Sequence, residues 1–496
     1  MKYTQELAEL LKAHDLLAAG DIPSIAISGI SNDSRQVKSG DLFICKGYAF
    51  KPEYLHMAAQ RGAVCYMAQQ PIEGVSLPCL LVNDVRKAQS LAAIWFYDDP
   101  SASLTMIGVT GTKGKSTTAG MTQAIMNAIT GHKTGLISGV SFCVGCDVDA
   151  PVLTTPESLD FQHLLSLIRD NGLGVATTEI SSQSYKVHRV YGLHFDYSVF
   201  LNISPDHLGE HEHPDMADYL ACKLELLKNS DTAIINIASD YFDTIYATAK
   251  SHCKRVLLVG NDRDECDYNV HDIQKQPRGY SFLVSEKKTG QTHAYSIAME
   301  GQFNITNAVA AIAIGREEQG DPAVIADALA DAVIAGRADF YHGSDLRVLV
   351  SYMHNGISCR SALDGVLQDF PGSYITIVQG MSGSRSELRL HDLGDICGKY
   401  ADRLYCTSEN PTFDDPLDLC IRLAHASADG KAEIVIEPNR SRAIERAICE
   451  APADSIVVVG GKGNEEFQII GADYVYYESD PVAVKRALDM REKQHG

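Results

Sequence analysis

TMIGVTGTKGKSTTAG, residues 105–120, decides how the rest of the chain is read. An apolar run ends in glycine, and Lys115, Ser116 and Thr117 stand at the head of a helical stretch over 115–129. A strand, a glycine-rich turn and a helix N-terminus in that order form an anion cradle, because the turn amides and the helix dipole face the same ligand. Gly111, Thr112, Lys113, Gly114, Lys115, Ser116 and Thr117 are therefore candidate contacts to ATP. Lys115 is placed to neutralise the terminal phosphates, and the Ser116 hydroxyl to ligate Mg²⁺. Glycine-rich turns open many α/β helices without binding anything, but Gly-Lys-Ser-Thr-Thr directly after a strand weighs against that here. The spacing is unusual: Val109 stands where the common phosphate loop has its first glycine.

Outward from the loop, apolar runs alternate with helical stretches. KTGLIS, a helix near 159–169, GVATTEIS, YSVFLNIS, a helix near 216–228 and TAIINI follow in turn. That alternation predicts an α/β fold, with a doubly wound parallel sheet covered on both faces. Residues 278–299 read as an appended antiparallel hairpin. A second alternation from about 346 (LRVLVSYM, YITIVQG, RLYCTSE, AEIVIEP, SIVVVGG) predicts a C-terminal Rossmann-like domain. Residues 1–98 read as a small α/β domain, with DDPSAS at 98–103 as a linker. Three domains are expected, over 1–98, 99–336 and 337–496.

Composition narrows the partners. The 43 basic and 64 acidic residues give a net charge of −21, which argues against a general nucleic-acid or anionic-membrane binder. No apolar run reaches 18 residues, and MKYTQELAEL lacks the apolar centre of a signal peptide. The 13 cysteines, odd in number and scattered, fit reduced thiols in a cytoplasm. Cys143 and Cys146 form a lone C-x-x-C, read as two small residues near a turn rather than as a zinc site.

G-x-x-G-T-x-G-K-[ST] resembles the ATP loop of the Mur ligase superfamily, which builds amides through acyl phosphates. TTEISSQSYKVHRVYG (177–192) and FLNISPDHLGEHEHPDMADYLACKLELL (200–227) resemble that family's next blocks, in the same order. The resemblance implies that Glu179 and His207 hold Mg²⁺, and that Lys223 carries a CO₂-derived carbamate acting toward a second ion. Read without it, Lys223 would be a snorkelling helix lysine. EGQFNITNAVAAIAIG (300–315) resembles the nucleotide-contacting helix, with Asn304 and Asn307 toward adenine, although Asn304 could equally be a helix cap. Arg337 fits the family's arginine between the central and C-terminal domains. In VSYMHN, His354 and Asn355 remain while Ser351 replaces the aspartate that would meet the ATP ribose.

Further matches imply the branch that adds the third peptide residue to UDP-N-acetylmuramoyl-L-alanyl-D-glutamate (UDP-MurNAc-L-Ala-D-Glu). Ser34 and Arg35 fall on the D-S-R motif near uridine. Thr154, Thr155, Ser181 and Arg189 fall on blocks that meet the muramoyl-dipeptide. Diaminopimelate-adding members carry D-N-P-R, whereas this chain has S-E-N-P-T-F-D-D-P at 408–416, with Thr412 in the arginine's place. Threonine offers no bidentate cation for a distal carboxylate. Glu409, Asn410, Asp414 and Asp415 suit a side-chain ammonium instead, hence L-lysine or L-ornithine. Arg389, with Arg385 nearby, is placed for the α-carboxylate, and Glu465 beside Asn464 for an amino group. The expected protein is a monomeric, cytoplasmic, ATP- and Mg²⁺-dependent ligase of cell-wall precursor synthesis. The alternatives are a paralogue with another carboxylate acceptor and an inactive nucleotide-binding relative.

Overall fold

The strand Thr105–Thr110 is buried almost throughout and lies well inside a ten-stranded sheet. In order across that sheet run Phe142–Cys143, Gly135–Ile137, Val175–Glu179, Thr105–Thr110, Phe195–Phe200, Ser230–Asn236, Arg255–Asn261, Tyr268–Lys275, Tyr280–Glu286 and Thr292–Ile297. Pairing is parallel from Gly135–Ile137 to Tyr268–Lys275, so the strands' carboxyl ends share one edge. The chain leaves Thr105–Thr110 toward one side of the sheet and returns through Phe195–Phe200 on the other. Such a switch point opens a crevice for ligands at the carboxyl edge, and the loop 111–114 lies there.

The computed structural model describes all of the 496 residues except 1, 20–22, 48–49, 149–150, 152, 207, 210–211, 300, 333, 335–338, 352, 354–355, 384–386 and 496. Packing explains why a glycine sits mid-strand. A Cβ on Gly108 would lie 2.8 Å from Leu226 and 3.0 Å from Phe195, so only glycine lets helix Met216–Lys228 lie against this strand. Phe195 and Leu226 belong to a core with Met106, Ile137, Phe161 and Ala176. Truncating a buried phenylalanine of this kind costs about 3–5 kcal/mol.

A five-stranded sheet precedes it, ordered Leu17–Ala19, Cys79–Val82, Cys65–Ala68, Asp41–Ile44, Gly29–Ser31. Helices Thr4–Ala13 and Val85–Phe96 cover its core of Leu7, Leu11, Leu42, Ile44, Met67 and Leu80. The expected linker is a single 3₁₀ turn, Pro100–Ser103, entered through Asp98 and Asp99 with φ of 59° and 41°.

The chain divides into two compact units, one of residues 1–272, 283–295 and 306–332, the other of 273–282, 296–305 and 333–496. Both sheets above have their main bodies in the first. The second holds a six-stranded sheet ordered Asp339–His342, Arg347–Ser351, Ile456–Gly460, Ile375–Met381, Arg403–Ser408, Glu433–Ile436. All its pairs are parallel except the first, as a doubly wound domain requires. Among the described residues, no helix is long and apolar enough to cross a membrane.

Candidate functional site

Gly114, at φ 87°, turns the chain into helix Lys115–Thr130. A Cβ there would lie 2.4 Å from Asn307 Oδ1, so the turn and the asparagine side chain are in close approach. The loop is fastened from the neighbouring strand end. The Lys113 amide donates to Asn202 Oδ1 at 2.9 Å, Asn202 Nδ2 donates to the Lys113 carbonyl at 3.1 Å, and the Thr112 amide donates to the Asn202 carbonyl at 3.0 Å. Thr112 Oγ1 also lies 3.1 Å from the Tyr219 hydroxyl and accepts from the Ser204 amide at 3.0 Å.

Two lysines converge on one carbonyl. Lys115 Nζ donates to the Gly111 oxygen at 2.9 Å and Lys223 Nζ to the same oxygen at 2.8 Å. Lys223 is buried, with its ammonium 4.7 Å from the Tyr219 ring centroid. Burial, and next the Lys115 charge, hold its pKa well below the ordinary lysine value. A buried amine held toward its neutral form is a nucleophile, which is what reaction with CO₂ requires. The snorkelling alternative fails here, because the head group as well as the stem is buried.

Glu179 ends the strand next to the loop strand, paired in register with Val109. Its Oε1 accepts from the Gly139 amide at 2.8 Å, while Oε2 is buried with no hydrogen-bond partner among the described residues. A buried carboxylate oxygen left open is costly unless a cation completes it. Together with the buried hydroxyl of Ser116, this donor set fits a hard divalent ion.

Beyond Glu179 runs an arm that gathers the expected acceptor residues. Thr155 Oγ1 donates to the Glu179 carbonyl at 2.8 Å and accepts from the Ser181 amide at 2.9 Å. Arg189 Nε donates to Glu157 at 2.9 Å and Nη1 to the Thr155 carbonyl at 3.2 Å, and Thr154 packs near Gly139. Lys46, from the N-terminal sheet, pairs with the same Glu157. Burial alone would raise the Glu157 pKa, but Lys46 and Arg189 together hold it below the usual carboxylate value. Ser34 and Arg35 stand in the turn after Gly29–Ser31. Ser34 is buried, and the exposed Arg35 guanidinium is locked on Asp33 at 2.8–3.2 Å.

In the second unit, Lys462 gathers the residues expected to read the amino acid. Its buried ammonium donates to Asn410 Oδ1 at 2.9 Å and to Glu465 Oε2 at 2.5 Å. Gln468 donates to the Glu409 carbonyl at 2.8 Å, and Ser382 Oγ to Glu409 Oε1 at 3.0 Å. Burial raises the Glu409 pKa against the pull of Arg440. Thr412 lies at φ 52°, a left-handed conformation rare for a β-branched residue, with its amide on the Ile469 carbonyl at 2.8 Å.

The structure revises two readings. Asn304 is no cap, since the helix already begins at Phe303. Asp415 is the N-cap of Pro416–Ala426, accepting from the Leu417 and Asp418 amides, so its charge serves the helix first. His207, Arg337, His354, Asn355 and Arg385 lie outside the described residues, as does the side chain of Arg389 on helix Glu387–Tyr400. Cys143 and Cys146 are free thiols. Asn202, Tyr219, Lys46, Glu157 and Lys462 were given no role by sequence reasoning, although Asn202 and Tyr219 stand within the block 200–227.

Residues 109–315 match the family described as the Mur ligase middle domain, and residues 336–463 that described as the Mur ligase, glutamate ligase domain. A UDP-N-acetylmuramyl-tripeptide synthetase of Lactobacillus delbrueckii subsp. bulgaricus is 35% identical, over 98% of this chain and 98% of its own. A UDP-N-acetylmuramoyl-L-alanyl-D-glutamate–L-lysine ligase of Enterococcus faecalis is 31% identical, over 91% of this chain and 89% of its own. Among solved structures, a UDP-N-acetylmuramoyl-L-alanyl-D-glutamate–2,6-diaminopimelate ligase matches with a TM-score of 0.67, over 95% of this chain and 96% of that one. At 22% identity, that likeness is one of fold.

Proposed function

The chain belongs to the Mur ligase family, and from that premise we propose that it joins L-lysine to the D-glutamate of UDP-MurNAc-L-Ala-D-Glu. It is an ATP-dependent ligase of peptidoglycan precursor synthesis. The side-chain carboxylate of D-glutamate attacks the γ-phosphorus and ADP leaves. The α-amine of lysine then attacks the acyl carbon, the carbon–oxygen bond to phosphate breaks, and the amine loses a proton.

The observation that carries this reading is the pair of lysines on the Gly111 carbonyl beside an acidic strand end with an open oxygen. Lys115 meets the developing negative charge at the terminal phosphate, and Asn307 stands against the loop on the nucleotide side. Thr155, Ser181 and Arg189 orient the acceptor, with Lys46 and Glu157 behind them. Ser116, Glu179, His207 and carbamylated Lys223 would hold Mg²⁺, which when bound supplies positive charge against the phosphates. Glu409, Asn410 and Glu465 favour a side-chain ammonium, and Thr412 supplies no cation for a distal carboxylate.

The test is phosphate release with ATP, Mg²⁺ and UDP-MurNAc-L-Ala-D-Glu, against L-lysine, L-ornithine, meso-diaminopimelate and no amine. Turnover with L-lysine is expected. Turnover confined to diaminopimelate would overturn the reading of Thr412, and release without any amine dependence would overturn the ligase reaction itself.

A further inference from the structure

We propose that His213 is a positioning residue, whose imidazole joins the Lys223-bearing helix, the acceptor arm and the phosphate loop into one frame. The proposal rests on the reading of Lys223, Ser181 and Glu179 as site residues. His213 is fully buried, directly before helix Met216–Lys228. Its Nδ1 lies 2.6 Å from Asp218 Oδ2 and its Nε2 2.9 Å from Ser182 Oγ. Its ring packs 5.0 Å from that of Tyr219. An ionised carboxylate only accepts, so Nδ1 carries the proton toward Asp218, and in the neutral ring Nε2 accepts from the Ser182 hydroxyl.

Each partner leads to a different part of the site. Asp218 is in the first turn of the helix that carries Lys223. Ser182 follows Ser181, whose amide donates to Thr155, whose hydroxyl donates to the Glu179 carbonyl. Tyr219 touches Thr112 through its hydroxyl and Lys223 through its ring. Lys186 adds a parallel tie, with Nζ 2.6 Å from Asp218 Oδ2. The short helix Ser182–Lys186 is thus fastened at both ends to the lysine-bearing helix.

Two other readings of the cluster give way to this one. His213, Asp218 and Cys222 present ligand atoms within 4.8 Å of one another, as a metal site would. Yet the Lys186 ammonium already lies 2.6 Å from Asp218 Oδ2, so a cation of the chain itself takes that oxygen. Ser182, His213 and Asp218 also follow the order of a nucleophile triad. Ser182 is 3% exposed and opens a helix, so no acyl group reaches its oxygen.

The test compares Ser182→Ala, which cuts only the link to the arm, with Asp215→Ala, which removes the N-cap of the same helix and leaves the imidazole's bonds in place. His213→Asn, keeping a donor near the Nδ1 position, is the conservative partner. Displacements of about 1 Å at a reacting group cost about 10²-fold in rate. Ser182→Ala is therefore expected to lower kcat about 10- to 100-fold, with calorimetric affinity for a non-hydrolysable ATP analogue within about 2-fold of wild type. Asp215→Ala is expected to lower Tm with kcat nearly unchanged. Equal kcat losses in the two variants, or losses tracking Tm across all three, would overturn the proposal.

Hydrogen exchange gives a readout independent of turnover. Ser182→Ala is expected to deprotect residues 179–186 and 216–223 together, and deprotection of its own segment alone would overturn the frame. Absence of turnover in the wild-type protein would overturn the reading of the reaction, and the exchange result then decides on His213 by itself.

Discussion

The phosphate loop and the ENPTFDDP segment both place charged side chains at the carboxyl end of a parallel strand, and they manage that charge in opposite ways. Around the loop, Glu179 Oε2 is buried without a hydrogen-bond partner among the described residues, and the side-chain nitrogens of Lys115 and Lys223 share one carbonyl oxygen. Around the second segment, Lys462 closes on Asn410 and Glu465. The first region holds an open carboxylate oxygen in a stiff frame, so phosphate and cation meet groups already in place. Such preorganisation is where enzymes find most of their electrostatic advantage. The second is balanced internally, so an incoming ammonium must compete with a lysine of the chain for the same acidic and amide oxygens.

The largest effect that this contrast predicts is at Glu179. Glu179→Gln keeps the bond from the Gly139 amide and removes the charge, and phosphate release should fall about 10²- to 10³-fold. Tm in metal-free buffer should hold or rise, because a buried uncompensated carboxylate is costly. A variant that loses Tm in parallel with activity would mean that Glu179 is structural and the open oxygen irrelevant.

A smaller effect is expected where charge is already balanced. Glu465→Gln leaves Lys462 with a weaker partner and reduces attraction for an amine. The KM for L-lysine should rise by about 10-fold, roughly 1.4 kcal/mol, while the KM for ATP stays put. Equal movement of both constants would erase the distinction between the regions.

These two regions also differ in how far the sequence disclosed them. The loop is contiguous, and its residue types follow one another as the chemistry uses them, so Gly111 to Thr117 could be read without a partner. What holds the loop could not. Thr112 and Tyr219 are 107 residues apart, and Asn202 meets Lys113 across 89, distances over which local pattern carries no signal. Lys223 by pattern was a surface lysine, and only burial of its head group shows otherwise. In the second region the acidic run was read as one ligand set, whereas Asp-Pro at 415–416 is also a helix-start signature, and the backbone takes Asp415. The alternation of strands and helices disclosed both doubly wound sheets because parallel strands buried on two faces are apolar throughout.

Thr412→Arg sharpens the comparison further. The position already tolerates φ 52°, so arginine adds no backbone strain beyond what threonine has. Diaminopimelate should become a measurable substrate, with a loss for L-lysine of about 10-fold or less. No gain for diaminopimelate would place the reading of the distal group elsewhere in the second unit.

The smallest effect lies at Glu409, and it turns on pH. Its pKa is raised in the folded protein, chiefly by burial, so the folded state holds the proton more tightly than the unfolded chain. The stabilisation that goes with protonation is present at low pH, and it is lost as pH rises through the folded value. At pH 7 the protein therefore bears the cost of a buried carboxylate, which Glu409→Gln removes while keeping an oxygen for Ser382. Tm of the variant should exceed that of wild type at pH 7, and the gap should narrow as pH falls through the raised folded value, where the wild-type side chain also becomes neutral. A gap of opposite sign would mean that Arg440 and Lys462 overcompensate the burial. The carboxylate would then belong to a closed network, and the second region would need no ligand to justify its charge.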